Sequence, residues 1–217
     1  MTGHFDHDST GNRDIEVPEQ WLEVSQGMAW WLREKTGVFG ISVGIYPGLL
    51  GESGTPALWH HVKKEIIIDP DVALPGQDPR SVDIKDTLWH NENPKLFGLL
   101  MHETGHAMGT KYSGAELVRY GARPREVDVI AALEEPKAEH RARTVFGSLK
   151  YLRHTALELI LDEWRIPDSA YGASISAALL LARVDVGVFT QKDVRDYDVE
   201  INRMLGKGTV RKLQELW

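Results

Sequence analysis

Apolar positions change their spacing along this chain, dividing it into a first helix, a short β-rich stretch and a long helical remainder. In residues 18–35, Trp21, Leu22, Val24, Met28, Trp31 and Leu32 recur near a 3.6-residue period, which predicts a helix with one buried face ended by Gly37. Residues 39–46 read as a strand closed by Pro47-Gly48, and a Gly/Ser/Pro-rich loop runs on to Pro56. Residues 58–68 hold one or two further strands. Three consecutive isoleucines, Ile66 to Ile68, make Glu65–Ile68 the strongest β segment in the chain and suit burial on both faces. Asp69-Pro70 and Pro75-Gly76 then interrupt the pattern.

From Pro94 onward the periodicity is helical. Asn93 reads as an N-cap with proline at the first helical position, and Gly109 as the stop. Between them, Leu96, Phe97, Leu99, Leu100 and Met101 are apolar nearly all round, as in a helix inside a core. A weak helix over 115–120 follows. A long one then runs from Pro124 to Trp164, with a kink expected near Ala132 because Pro136 cannot supply an N–H there. Further helices are expected over 169–184, 191–205 and 209–217, the last two amphipathic enough for a cap or a docking surface. The expected fold is α+β but mainly helical, with a small N-terminal sheet packed on a buried helix and a helical C-terminal region. Residues 1–17 read as a polar arm, 18–165 as the core and 166–217 as a helical extension packed on it.

Composition narrows the function. A chain of 217 residues with 42% hydrophobic residues and seven tryptophans can bury a substantial core. A net charge of −7 without a basic cluster argues against nucleic acid as a partner. The absence of cysteine excludes disulfides and thiolate ligands, leaving histidine and carboxylates to hold any metal. The longest apolar run, residues 175–184, is too short for a membrane span and carries Arg183, with Asp185 just beyond. The N-terminus lacks the apolar segment of a signal peptide, so a cytoplasmic location is expected.

The chemistry concentrates in His102-Glu103-Thr104-Gly105-His106. Residues four apart on a helix share one face, so both imidazoles can reach one metal ion. Glu103, rotated by roughly 100°, lies beside it, where a carboxylate can take a proton from an attacking water. H-E-x-x-H is a metallopeptidase signature for this mechanical reason. A catalytic zinc usually takes three protein ligands and leaves one position open, so a third is needed. Glu134, Glu135 and Glu139 compete for the role. Glu135 lies on the small, apolar stripe of Ala131, Ala138, Ala142, Val145/Phe146 and Leu149, where a carboxylate would be buried and would need a cation. Glu139, one turn later, is placed to orient a ligand from behind.

This pattern resembles the gluzincins, zincin metallopeptidases that draw a glutamate ligand from a later helix. Leu133-Glu134-Glu135-Pro136-Lys137-Ala138-Glu139 is similar to a stretch that follows H-E-x-x-H in some bacterial and phage metallopeptidase-like proteins. Spacing like that of Glu135 and Glu139, ligand and acidic residue four apart, recurs in gluzincins. The metzincin alternative fits less well, because Tyr112 stands where that family has its third histidine and Met204 is the only methionine after Met108. The resemblance implies a zincin-like fold, one Zn²⁺ per chain held by His102, His106 and Glu135, and peptide-bond hydrolysis with Glu103 as general base. Tyr112, Tyr120, Tyr151 and His154 are candidates for the oxyanion donor; the resemblance implies one after the third ligand, which favours Tyr151 and His154, and it implies an edge strand for extended substrate, for which Glu65–Ile68 is the candidate. A peptide or protein is then the partner. The alternative is a non-catalytic module in which metal organises helices for protein interaction. A non-peptide amide substrate also remains open.

Overall fold

The computed structural model describes residues 16–51, 55–162 and 168–214. The expected arm at 1–17 and the boundary near 165 lie largely outside them. Helix α1 (Glu19–Thr36) ends where Gly37 turns into the left-handed region and returns its N–H to the Arg33 carbonyl. Three short strands follow: β1 (Ser42–Ile45), β2 (Ala57–His60) and β3 (Glu65–Ile68). They form a mixed sheet in the order β1-β3-β2, with β3 parallel to β1 and antiparallel to β2. Glu65–Ile68 is therefore the central strand and not the edge. Its isoleucines are buried on both faces, as a continuous β-branched run requires. The outer strand beside the later helices is β2.

Helices account for the rest: α2 (Pro70–Ala73), α3 (Thr87–Glu92), α4 (Pro94–Ala107), α5 (Gly114–Arg119) and α6 (Pro124–Phe146), then α7 (Lys150–Ala156), α8 (Ala170–Val186), α9 (Arg195–Leu205) and α10 (Thr209–Gln214). The expected helix from 124 to 164 is two helices. Gly147 adopts a left-handed conformation and closes α6, and α7 continues to Asp162 as a π-helical stretch. Helix α6 runs unbroken through Pro136, which keeps residues 131–142 in one helical phase. Asn93 does not cap α4 with its side chain; its amide donates instead to the Trp89 carbonyl.

Helix α4 is buried from Leu96 to His106 because it separates two cores. Leu96, Phe97, Leu99 and Leu100 pack with α1 and the sheet, while Met101 joins a second cluster built from α6 to α10. No helix among the described residues is long and apolar enough to cross a membrane. The described residues are thus mainly helical with one small mixed sheet, and α4 carries the His-Glu motif through their centre.

Candidate metal centre

His102 and His106 lie one turn apart at the C-terminal half of α4, and both are buried. Their Nε2 atoms approach to 3.1 Å. From α6, Glu135 brings one carboxylate oxygen to 3.2 Å from His102 Nε2 and the other to 3.5 Å from His106 Nε2. Among the described residues these three form the one histidine-carboxylate group close enough to hold a metal ion. Ligands arranged tetrahedrally at zinc's usual bond lengths stand about 3.3 Å from one another. The two imidazole nitrogens and the Glu135 oxygen nearest each of them stand at such separations, one ligand atom from each residue lies within 4.8 Å of the others, and a nitrogen-nitrogen-oxygen donor set suits zinc. The residues fit the ion.

The close approach of α6 to α4 depends on Gly105. A Cβ placed there would stand 2.0 Å from the Ala138 carbonyl oxygen. With no side chain in the way, α6 can lay Glu135 against both rings.

Three further layers hold the ligands. On the His102 side, Glu139 is 1% exposed, and one of its oxygens lies 3.8 Å from His102 Nδ1. Its second oxygen is fully buried without a hydrogen-bond partner. On the His106 side, Nδ1 is 2.9 Å from Thr110 Oγ1, whose hydroxyl donates to Glu134 at 2.7 Å. Arg141 donates to the same Glu134 oxygen at 2.6 Å. The third layer comes from α8. Arg183 donates to Glu139 at 2.7 Å and to Glu135 at 3.4 Å. The three competing glutamates thus divide the work: Glu135 meets both rings, Glu139 stands behind His102, and Glu134 stands behind His106 through Thr110.

Opposite charges face one another within this cluster. Burial works against a proton on His102, but the attraction of Glu135, with help from Glu103 and Glu139, outweighs it and raises the pKa to about 9. Burial raises Glu135 in turn, yet His102 and then His106 hold its carboxyl well below the usual range. Glu134 is lowered despite burial by Arg141 and Thr110. A protonated His102 between carboxylates occupies the electrostatic position that a cation would take.

Glu103 is 2% exposed on the same helix, next to His102. Tyr151 and His154 are not brought to this cluster. The Tyr151 hydroxyl bonds to Asn91 at 3.1 Å, and His154 is half-exposed, 3.8 Å from Glu158. Helix α7 packs on the opposite, N-terminal half of α4, where Thr155 reaches the Pro94 and Lys95 carbonyls. The i,i+3 spacing puts Tyr151 and His154 on one face of α7 but does not say which end of α4 that face meets. The sequence reading also missed Arg183, treated only as an interruption of an apolar run, and Thr110. An arginine closing the Ala/Leu run of residues 177–182 was the available signal. Comparisons with protein families, curated proteins and solved structures find no match to this chain.

Proposed function

We propose that this protein is a zinc-dependent hydrolase of peptide bonds, with a zincin-like arrangement in which His102, His106 and Glu135 hold one Zn²⁺ per chain. The observation that carries the reading is the convergence of His102 and His106 Nε2, 3.1 Å apart, on the Glu135 carboxylate, whose two oxygens lie 3.2 and 3.5 Å from them. Beside it stands Glu103, a buried carboxylate of no use to a purely structural site. When bound, zinc supplies Lewis acidity, acidifying a water and polarising the scissile carbonyl. Glu103 accepts the proton of the attacking water and hands it to the leaving amine as the C–N bond breaks. Thr110, 2.9 Å from His106 Nδ1, would hold that ring, and Glu139, 3.8 Å from His102 Nδ1, lies on the far side of the other, leaving both Nε2 atoms toward Glu135. Strand β2, antiparallel to β3 at the outside of the three-stranded sheet and packed against α4, is the strand beside which an extended peptide would add.

Purified protein is expected to contain about one zinc per chain, lost on His102→Ala. Glu103→Gln is expected to keep the metal and lose cleavage of a mixed peptide library. Zinc retained by wild type without any cleavage would favour the other reading, a metal-organised interaction module. The ion network around Glu135 would then serve the fold alone.

A further inference from the structure

Arg183 is buried to 3% exposure in the wall of the metal centre, yet it belongs to α8, far along the chain from the motif. Its buried neighbours within the preceding turn of α8 are Leu179, Leu180, Leu181 and Ala182, all apolar. A guanidinium in such a place loses most of its hydration and persists only where carboxylates replace the water. Two do. Nε donates to Glu139 at 2.7 Å, and Nη2 reaches Glu135 at 3.4 Å. The planar fork therefore sets the separation of the carboxylate that meets the rings from the carboxylate behind His102.

We propose that Arg183 is a positioning residue of the metal centre, holding Glu135 and Glu139 in the geometry that binds the ion and thereby making α8 part of the site. This rests on the metal-binding reading above. Without the fork, Glu135 and Glu139, one turn apart on α6, repel each other next to His102. Glu135 is then free to rotate away from the His102–His106 pair. The end of α8 is fixed independently, because the Arg183 carbonyl accepts the N–H groups of Gly187, Val188 and Phe189 at 3.1, 2.9 and 3.2 Å. That anchor is main-chain and survives substitution of the side chain. Small residues at the contact, with Ala142 of α6 and Ala177 of α8 fully buried, bring the two helices close enough for the reach.

The test measures zinc affinity by competition with a chromophoric chelator, and the visible spectrum of the cobalt-substituted protein, for wild type, Arg183→Lys, Arg183→Met and Glu139→Gln. A positioning role predicts affinity lowered about 10–100-fold in Arg183→Met and Glu139→Gln. It also predicts an altered cobalt spectrum, and only partial recovery in Arg183→Lys, since an ammonium cannot span both carboxylates. Hydrogen exchange adds a second readout: zinc is expected to protect α8 amides in wild type and not in Arg183→Met. Should Arg183→Met fail to fold, Glu139→Gln addresses the same contact from α6, and Arg183→Lys keeps the charge. Zinc affinity and cobalt spectrum unchanged in folded Arg183→Lys and Glu139→Gln would overturn the proposal. A wild-type protein that binds no zinc would instead overturn the metal reading on which it rests.

Discussion

Replacing Gly105 with alanine tests the metal centre through backbone geometry, without touching a ligand. The added Cβ would stand 2.0 Å from the Ala138 carbonyl oxygen and 2.6 Å from its carbon, both main-chain atoms that cannot swing aside. To reach ordinary contact, α6 must retreat from α4 by about 1 to 1.4 Å. Glu135 sits one turn before Ala138 on the same helix and moves with it. Metal-ligand bonds tolerate displacements of only about 0.2 Å, so the retreat takes the carboxylate out of bonding reach of an ion on the two imidazoles. Overpacking of this kind costs about 1–3 kcal/mol, less than the stability of a typical domain. Gly105→Ala is therefore expected to fold and to lose zinc affinity by about 100-fold or more, near 3 kcal/mol. Gly27→Ala is the control. A Cβ there meets Ile84 at 3.6 Å, ordinary contact, in the middle of α1. Exchanging glycine for alanine inside a helix should leave metal binding alone and raise stability by up to about 1 kcal/mol. Chelator competition gives the affinities and thermal melts in EDTA give the stabilities. If Gly105→Ala takes up zinc as tightly as wild type, Glu135 is not the third ligand, or α6 does not press on α4 as described.

Other expectations follow from the same geometry. Thr110→Val removes the hydroxyl that links His106 Nδ1 to Glu134, and zinc affinity should fall about 10-fold or more with little change in the metal-free melting temperature. Gly98→Ala places a Cβ 2.0 Å from Thr155 Oγ1 and 2.5 Å from the Tyr151 carbonyl, at the other half of α4; it should destabilise by about 1–3 kcal/mol while sparing zinc affinity, read in the same two assays. With its pKa raised to about 9, His102 stabilises the metal-free fold fully below its unfolded value near 6.5 and loses that contribution as pH rises through about 9. Urea unfolding in EDTA at pH 6 and pH 10 should therefore differ by roughly 3 kcal/mol, a gap that His102→Gln should shrink. Zinc must displace the same proton, so affinity should climb up to pH 9 and flatten above it, and a flat profile between pH 7 and 9 would contradict the His102 assignment.

What was legible in the sequence is what local periodicity controls. The four-residue spacing of His102 and His106 is a property of any helix, and the stripe from Ala131 to Ala142 ranks Glu135 first because α6 stays in phase through Pro136. Strand order was not legible: three isoleucines say that Glu65–Ile68 is buried, but only pairing with β1 and β2 says that it is central. The placement of Tyr151 and His154 turns on a similar step. A helix face is readable from spacing, but its partner depends on where Gly98 lets α7 approach α4, and that contact favours the half away from the histidines. Arg183 lies beyond local reasoning for the same cause, since nothing within a turn of it on α8 hints at the two carboxylates it faces. Buried charges still leave a trace. An arginine amid alanines and leucines in a helix has no hydration available and must have an acidic counterpart elsewhere. Glu139, equally buried among the small residues of α6, has the reciprocal need. Pairing unmatched buried charges of opposite sign across the chain would have joined α8 to the site before any contact was seen.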